Sequence, residues 1–296
     1  MLEGVFNITP TPFCEDGSLD LPSVQTLVDH VVRHGVDGIT ILGVMGEADK
    51  LIDQERDALI TATLEAVRGR VTVCVGATHT GTDGCVSYCR RAQALGASAV
   101  MVAPPRLARP TDAALRRHYL EVASAIDLPV VVQDHPPSSN VVMSVEFLAA
   151  LADEAESCRF VKLEDEPSPP KIGQLIDANP AVRVFGGSGG IMFLEELRRG
   201  AIGIMTGFGC PEILVGIYRA FVSGDENRAA EIFYRYLPLV RFENQARINL
   251  AIRKRIYCLR RAIATARARQ PASELDAGVL VDLDDLLTRL HLKESS

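Results

Sequence analysis

Lys162 is the residue of this sequence that points to the most specific chemistry. It lies in the apolar, strand-like run from Cys158 to Leu163. Burial removes hydration from an ammonium group and lowers its pKa, so that part of the lysine is a free amine at neutral pH. A free amine can attack a ketone and form a Schiff base. The alternative is a lysine whose side chain extends from the strand end to solvent.

Glu164 follows Lys162 by two positions, so on a regular strand both side chains face the same side. A carboxylate in that position can move protons beside a Schiff base. The alternatives for Glu164 are an ordinary ion pair or a solvated carboxylate at the rim of the sheet.

Eight short, mostly continuous apolar runs alternate with amphipathic stretches, as expected for parallel strands covered on both faces. The predicted strands are Val5 to Thr9, Gly38 to Leu42, Val71 to Val75, Ala99 to Ala103, Val130 to Gln133, Phe160 to Leu163, Arg183 to Phe185 and Gly203 to Thr206. The predicted helices are Leu21 to His34, Asp53 to Val67, Thr82 to Leu95, Asp112 to Ala125, Ser144 to Ala155, Pro169 to Ala178, Ile191 to Arg199 and Pro211 to Val222.

This alternation predicts an α/β fold, a (β/α)8 TIM barrel over residues 1–224. A doubly wound sheet is the second candidate, but no G-x-G-x-x-G turn follows the first strand. Residues 225–296 are predicted to form a C-terminal helical extension packed on the barrel. Its predicted helices are Asp225 to Val240, Glu243 to Ala264 and Asp282 to Leu290.

The chemistry of such a barrel lies at the carboxyl ends of its strands. After strand two, Gly43 and Gly46 would let backbone N–H groups approach an anion such as a carboxylate, although a plain tight turn would also contain them. His79 and His135 follow strands three and five and could act as acid or base, or be structural. The glycine-rich ends of strands seven and eight could bind phosphate or be flexible loops.

Composition excludes several classes of function. The net charge of −7 argues against a nucleic-acid surface, and no 18-residue apolar run indicates a membrane span. No signal peptide is visible, and seven scattered cysteines favour reduced thiols, so we expect a cytoplasmic protein. The late basic residues around Arg253-Lys254-Arg255 suggest a solvated helix face or a subunit contact. No histidine–carboxylate cluster suggests a metal.

Four segments together resemble the dihydrodipicolinate synthase / N-acetylneuraminate lyase superfamily, and the resemblance covers essentially the whole chain. They are the loop Gly43-Val44-Met45-Gly46-Glu47, the helix start Leu51-Ile52-Asp53-Gln54-Glu55-Arg56, the strand Val161-Lys162 and the strand Gly200 to Thr206. The resemblance implies a lyase or aldolase that forms a Schiff base with a 2-oxo acid through Lys162. It also implies that no cofactor is needed beyond that covalent bond, and that the protein is a homodimer or homotetramer.

The positions at which this sequence departs from the family narrow the range of activities and substrates that we expect. Val44 and Met45 replace its two hydroxyl residues, Gln133 replaces its proton-relay tyrosine, and Pro104-Pro105-Arg106 replaces a further aromatic residue. Ser138 or a neighbour stands where the true synthase has an arginine. A true synthase and a sialic acid lyase are therefore not expected.

The fragments Gln133-Asp134-x-Pro, Lys162-x-Glu164 and Phe242-Glu243-Asn244 resemble the 2-keto-3-deoxy-pentonate dehydratases. The expected activity is dehydration or aldol cleavage of a 2-keto-3-deoxy sugar acid. The alternatives are a synthase-like pyruvate aldolase and a catalytically silent metabolite-binding relative. The expected catalytic residues are Lys162, Gln133 and Glu164. The expected substrate-binding residues are Gly43, Val44, Met45, Gly46, Glu47, Gly186 and Met205.

Overall fold

Eight parallel strands close into a barrel in the computed structural model, which describes residues 2–106 and 111–292. Each strand pairs with its neighbours in sequence, and β1 closes the barrel by pairing with β8, with Phe6 opposite Met205. The predicted (β/α)8 barrel is therefore confirmed. The strands are β1 (Gly4–Ile8), β2 (Gly38–Ile41), β3 (Thr72–Gly76), β4 (Ala99–Val102), β5 (Val130–Asp134), β6 (Phe160–Leu163), β7 (Arg183–Gly186) and β8 (Gly203–Thr206).

Helices on the outside of the barrel connect successive strands and cover the outward-facing side chains of the sheet. Several begin at polar caps, as where the side chains of Thr111 and Ser144 accept backbone N–H groups. The helices are α1 (Leu21–Arg33), α2 (Asp53–Val67), α3 (Thr82–Leu95), α4 (Asp112–Ala125), α5 (Pro136–Ser139), α6 (Val145–Glu154), α7 (Ser168–Ala178), α8 (Phe193–Arg198), α9 (Pro211–Val222), α10 (Glu226–Glu243), α11 (Asn249–Leu259) and α12 (Ala277–Arg289).

The interior of the barrel is filled by large side chains from alternate strand positions. Phe6, Met101, Phe185 and Met205 form one buried cluster, in which the rings of Phe6 and Phe185 meet edge to face at 5.5 Å. Both faces of the sheet are thus dry, which is why the strands are continuously apolar. This packed layer is the floor beneath the carboxyl ends of the strands.

The C-terminal extension differs from the sequence prediction. The predicted single helix Glu243 to Ala264 is wrong, because α10 continues to Glu243 and α11 begins only at Asn249. Between them Arg247 has a left-handed backbone with φ of 75°, which interrupts the helix. The break leaves Glu243 and Asn244 at a helix end, from which their side chains reach the loops after β8 and β7.

Two of the late basic residues, Arg253 and Lys254, do not lie on the solvated helix face that their spacing suggested. Arg253 and Lys254 are 2% and 0% exposed, and each pairs with a buried carboxylate. The Lys254 Nζ atom donates to Glu47 at 2.5 Å and to the Arg267 carbonyl at 2.6 Å. Burial lowers the pKa of Lys254 to about 8, although the Glu47 carboxylate acts in the opposite direction.

Two further observations bear on the sequence predictions. Within the described ranges no helix combines the length and the apolar character that crossing a bilayer requires. All seven cysteines are free thiols.

Replacing Lys254 with methionine should destabilise the protein strongly, because it leaves the Glu47 carboxylate buried without its main counter-charge. We expect the free energy of unfolding to fall by about 3–5 kcal/mol, measured by urea denaturation. Adding Glu47→Gln should restore part of the loss. Arg289→Ala breaks an exposed pair with Asp285 and is the control, with an expected change below about 0.5 kcal/mol. Equal effects of Lys254→Met and Arg289→Ala would contradict this role.

Candidate active site

Lys162 and Glu164 form a buried ion pair at the carboxyl end of β6. The Lys162 Nζ atom lies 2.6 Å from Glu164 Oε2, and the two residues are only 3% and 7% exposed. Lys162 is opposite Gln133 on β5 and opposite Phe185 on β7, so its side chain rises from the packed interior of the barrel. The ammonium group therefore has an acceptor for its proton in direct contact.

Glu164 is held in place by donors from β5 and from the turn after β7. Gln133 Nε2 donates to its Oε2 at 3.0 Å, and the Ser188 backbone N–H donates to its Oε1 at 3.0 Å. Burial by itself would raise the pKa of Glu164, but the charges of Lys162 and then His135, with the hydrogen bonds from Lys162 and Gln133, outweigh burial and lower it. Glu164 is therefore an ionised carboxylate with a fixed orientation, not the solvated rim carboxylate of the alternative.

His135 lies close enough to this pair to feel both charges. Burial lowers the pKa of His135, Glu164 opposes that effect and Lys162 adds to it. Its Nδ1 atom is 2.7 Å from the Ser138 hydroxyl, which fixes the ring. His79 is farther out: its ring is exposed and packs edge to face on Tyr88. Of the two predicted histidines, only His135 borders the Lys162–Glu164 pair.

A cavity of about 550 Å³ opens at the carboxyl end of the barrel. Gln133 lies at its floor beside Met101, and Gly43 and Val44 line its wall. Among the described residues, no group of three or more His, Cys, Asp or Glu side chains is arranged to hold a metal ion. The cavity is large enough for a small organic acid.

The predicted carboxylate loop is a short 3₁₀ turn over Val44–Gly46. The N–H groups of Gly46 and Glu47 are used within the turn, donating to the carbonyls of Gly43 and Val44 at 2.9 and 3.1 Å. Gly46 is therefore not the donor that the sequence suggested. The N–H groups of Val44 and Met45, at the start of the turn, donate to no carbonyl in the described part of the chain, and they are the ones left for an anion.

Two predicted substrate-binding residues, Met205 and Gly186, do not line the cavity in the described structure, and Glu47 lines it with a carboxylate that is already engaged. Glu47 is 3% exposed, and its carboxylate accepts from Lys50, Lys254 and the backbone of Arg269, so it anchors the loop to the C-terminal extension. Met205 belongs to the packed floor of the barrel. A side chain at Gly186 would collide with Glu196 on α8, so this glycine faces the helix layer.

Glu196 is a buried carboxyl that the sequence analysis missed. It is 0% exposed, its Oε1 accepts from the Ser168 hydroxyl at 2.7 Å, and its Oε2 has no partner in the described structure. Burial raises its pKa to about 8, the Ser168 hydroxyl opposes this, and the nearby charge of Glu164 adds to it. Its position three residues after Phe193, on the apolar face of α8, was the available signal.

The two glycine-rich turns are occupied by carboxylates. Glu164 accepts a hydrogen bond from the Ser188 N–H after β7, and Glu243 Oε2 accepts one from the Gly209 N–H after β8 at 2.9 Å. A phosphate would have to displace or approach these negative charges, which is electrostatically unfavourable. The geometry thus disfavours the phosphate alternative for these turns.

Glu196 should make the stability of the protein fall as pH rises. The folded state holds the Glu196 proton up to about pH 8, whereas the unfolded chain releases it near 4.5, the ordinary pKa of a glutamic acid side chain. The unfolded state is therefore favoured increasingly between these two values. In Glu196→Gln this loss is absent, so the variant should gain stability relative to wild type between pH 5 and pH 8. Urea denaturation at both values tests this, with Glu195→Gln as control; parallel pH profiles would refute it.

Comparison with known proteins agrees with this architecture. A profile of the Dihydrodipicolinate synthetase family matches residues 1–290. An L-2-keto-3-deoxyarabonate dehydratase of Azospirillum brasilense is 34% identical over 97% of this chain and 94% of its own length. A 4-hydroxy-tetrahydrodipicolinate synthase of Methanosphaerula palustris is 31% identical over 97% and 99%.

Among solved structures, a dihydrodipicolinate synthase from Rhodopseudomonas palustris superposes with a TM-score of 0.92, at 32% identity over 97% of both chains. The family profile and the relatives span nearly the whole chain, barrel and extension alike. The chain therefore belongs to the dihydrodipicolinate synthase family and is a lyase.

Proposed function

We propose that this protein is a dehydratase of a 2-keto-3-deoxy sugar acid that acts through a Schiff base on Lys162. The observation that carries the proposal is the buried Lys162–Glu164 pair, 2.6 Å apart and hydrogen-bonded to Gln133, which lines the cavity at the carboxyl end of the barrel. The similarity to an L-2-keto-3-deoxyarabonate dehydratase over nearly the full chain supports the same substrate class.

The first step is formation of the imine. Glu164 Oε2 accepts a proton from the Lys162 ammonium, and the free amine attacks the C2 ketone of the substrate to give a carbinolamine. Glu164 then returns this proton to the C2 hydroxyl, which leaves as water, so that the imine is protonated and Glu164 is a carboxylate again. The substrate carboxylate is held by the free N–H groups of Val44 and Met45, at the start of the 3₁₀ turn. The imine takes the place of a cofactor, because it supplies the electron sink itself.

The second step is elimination. The protonated imine acidifies the C3 protons, and Glu164, held by Gln133 and the Ser188 N–H, removes one of them. The electrons move to form an enamine, and the C4 hydroxyl then leaves as water, with its proton returned by the Glu164 carboxyl. Hydrolysis of the imine releases the 2-oxo product and regenerates Lys162.

Two alternatives use the same site. Aldol cleavage or synthase-like pyruvate condensation would break or form the C3–C4 bond from the same imine, and relatives named 4-hydroxy-tetrahydrodipicolinate synthase keep this open. Gln133 favours dehydration, because its amide positions Glu164 but is a poor proton carrier. A silent metabolite-binding protein would bind the acid without an imine.

The assembly and compartment also belong to this proposal. The family similarity supports a homodimer or homotetramer, and the seven free thiols are consistent with a cytoplasmic location. Sedimentation velocity and fractionation of the native host would test these two points.

Borohydride trapping should place the imine on Lys162. After incubation with pyruvate or L-2-keto-3-deoxyarabonate and reduction, the intact mass should rise by the reduced adduct and peptide mapping should locate it on Lys162. Lys162→Met, similar in length but without the amine, should give no adduct and lose at least about a thousandfold in kcat. Ligand-induced thermal stabilisation without any adduct in wild type would instead support the silent binding protein.

Glu164→Gln should separate imine formation from elimination. The amide preserves the shape of Glu164 and can still accept the Ser188 N–H, but it cannot take a proton. We expect pyruvate to be trapped still, although more slowly, while kcat for dehydration falls about 10²–10⁴-fold. Glu195→Gln, on α8 and outside this site, is the control and should leave both rates unchanged. Dehydration at the wild-type rate in Glu164→Gln would assign the base to another group.

A further inference from the structure

A buried guanidinium from the C-terminal extension reaches the mouth of the barrel. Gly207 follows the inward-facing Met205 by two positions, so it faces the same side of the sheet. A Cβ atom at Gly207 would lie 2.6 Å from Nη1 and 3.0 Å from Cζ of Arg253. The guanidinium thus occupies the space that an inward side chain at Gly207 would fill.

Glu243 fixes this guanidinium from one side only. Arg253 Nε donates to Glu243 Oε1 at 2.6 Å, and Glu243 Oε2 accepts the Gly209 N–H at 2.9 Å. Both residues are almost fully buried, at 2% and 0% exposure. Within the described residues no acceptor is found for Nη1 or Nη2 of Arg253. These two groups are therefore donors that a ligand could engage.

We propose that Arg253 is a substrate-binding residue that contacts the far end of the bound 2-oxo acid, at its C4 and C5 hydroxyls. The proposal rests on the proposed function and deepens it. Arg253 lies over β8 and Lys162 rises from β6, and these two strands, two positions apart in the barrel, are separated by roughly 10 Å. A five-carbon acid attached through C2 to Lys162 spans much of that distance.

The charge of the site selects hydroxyl oxygens over a second anion. Glu243 already neutralises Arg253 in direct contact, and Glu164 adds a further negative charge near the mouth. A phosphate or carboxylate at the far end would meet little net positive charge, whereas neutral hydroxyls can accept from the free Nη groups. Arg253 thereby distinguishes a sugar acid from a short 2-oxo acid such as pyruvate.

The test compares the concentrations of pyruvate and L-2-keto-3-deoxyarabonate that give half-maximal borohydride trapping. Because loss of Arg253 alone strands the Glu243 charge, the variant is Arg253→Met with Glu243→Gln, which keeps an acceptor for Gly209. We expect the concentration needed for the sugar acid to rise tenfold or more, from loss of hydrogen bonds to a charged donor. The value for pyruvate, which has no C4 or C5, should change less than twofold.

Arg253→Lys is the second variant, and it tests the same role of Arg253 if the double variant does not fold. It retains a charge for Glu243 but loses the forked donor, and should raise the value for the sugar acid alone by several-fold. An equal change for both acids, or none for the sugar acid, overturns the role of Arg253. A wild-type protein that traps neither acid overturns the proposed function, and the inference with it.

Discussion

The buried ion pair of Lys162 and Glu164 is the constraint on which the rest of the site depends. Two charges removed from water are tolerated only when their hydrogen-bonding capacity is used. Here the Gln133 amide and the Ser188 N–H complete the shell of Glu164. Gly187 must lack a side chain, because a Cβ there would collide with Glu164. The pair therefore determines which residues can stand at the ends of β5 and β7.

The C-terminal extension completes the mouth of the barrel with charges of its own. Lys254 holds Glu47 in the loop after β2, Glu243 and Arg253 hold the turn after β8, and Asn244 donates to the Gly189 carbonyl. The Lys254–Glu47 and Asn244–Gly189 contacts join residues far apart in sequence. The barrel and the C-terminal helices α10 and α11 are thus joined by buried polar contacts, and removing one partner leaves the other charge in a dry environment.

Much of the fold was predictable, because its elements are defined by local patterns. All eight strands and the helices between them were predicted to within a few residues, since a doubly covered strand such as Val130–Asp134 is continuously apolar. The helix predicted over Glu243 to Ala264 failed, because its interruption depends on contacts that Glu243 and Asn244 make with distant loops. The local periodicity of apolar residues does not reveal such long-range contacts.

The sequence by itself was enough to predict the barrel and the family resemblance. It also predicted that Lys162 and Glu164 act together, because residues two apart on a strand face the same side. Only the tertiary structure determined which residues these side chains contact. Glu47 pairs with Lys254, Gly186 lies against Glu196, and Arg253 lies over Gly207. The physical reason is that burial and charge pairing are properties of assembled elements. The identity of a charged residue on a helix does not reveal whether its side chain faces solvent or a buried carboxylate.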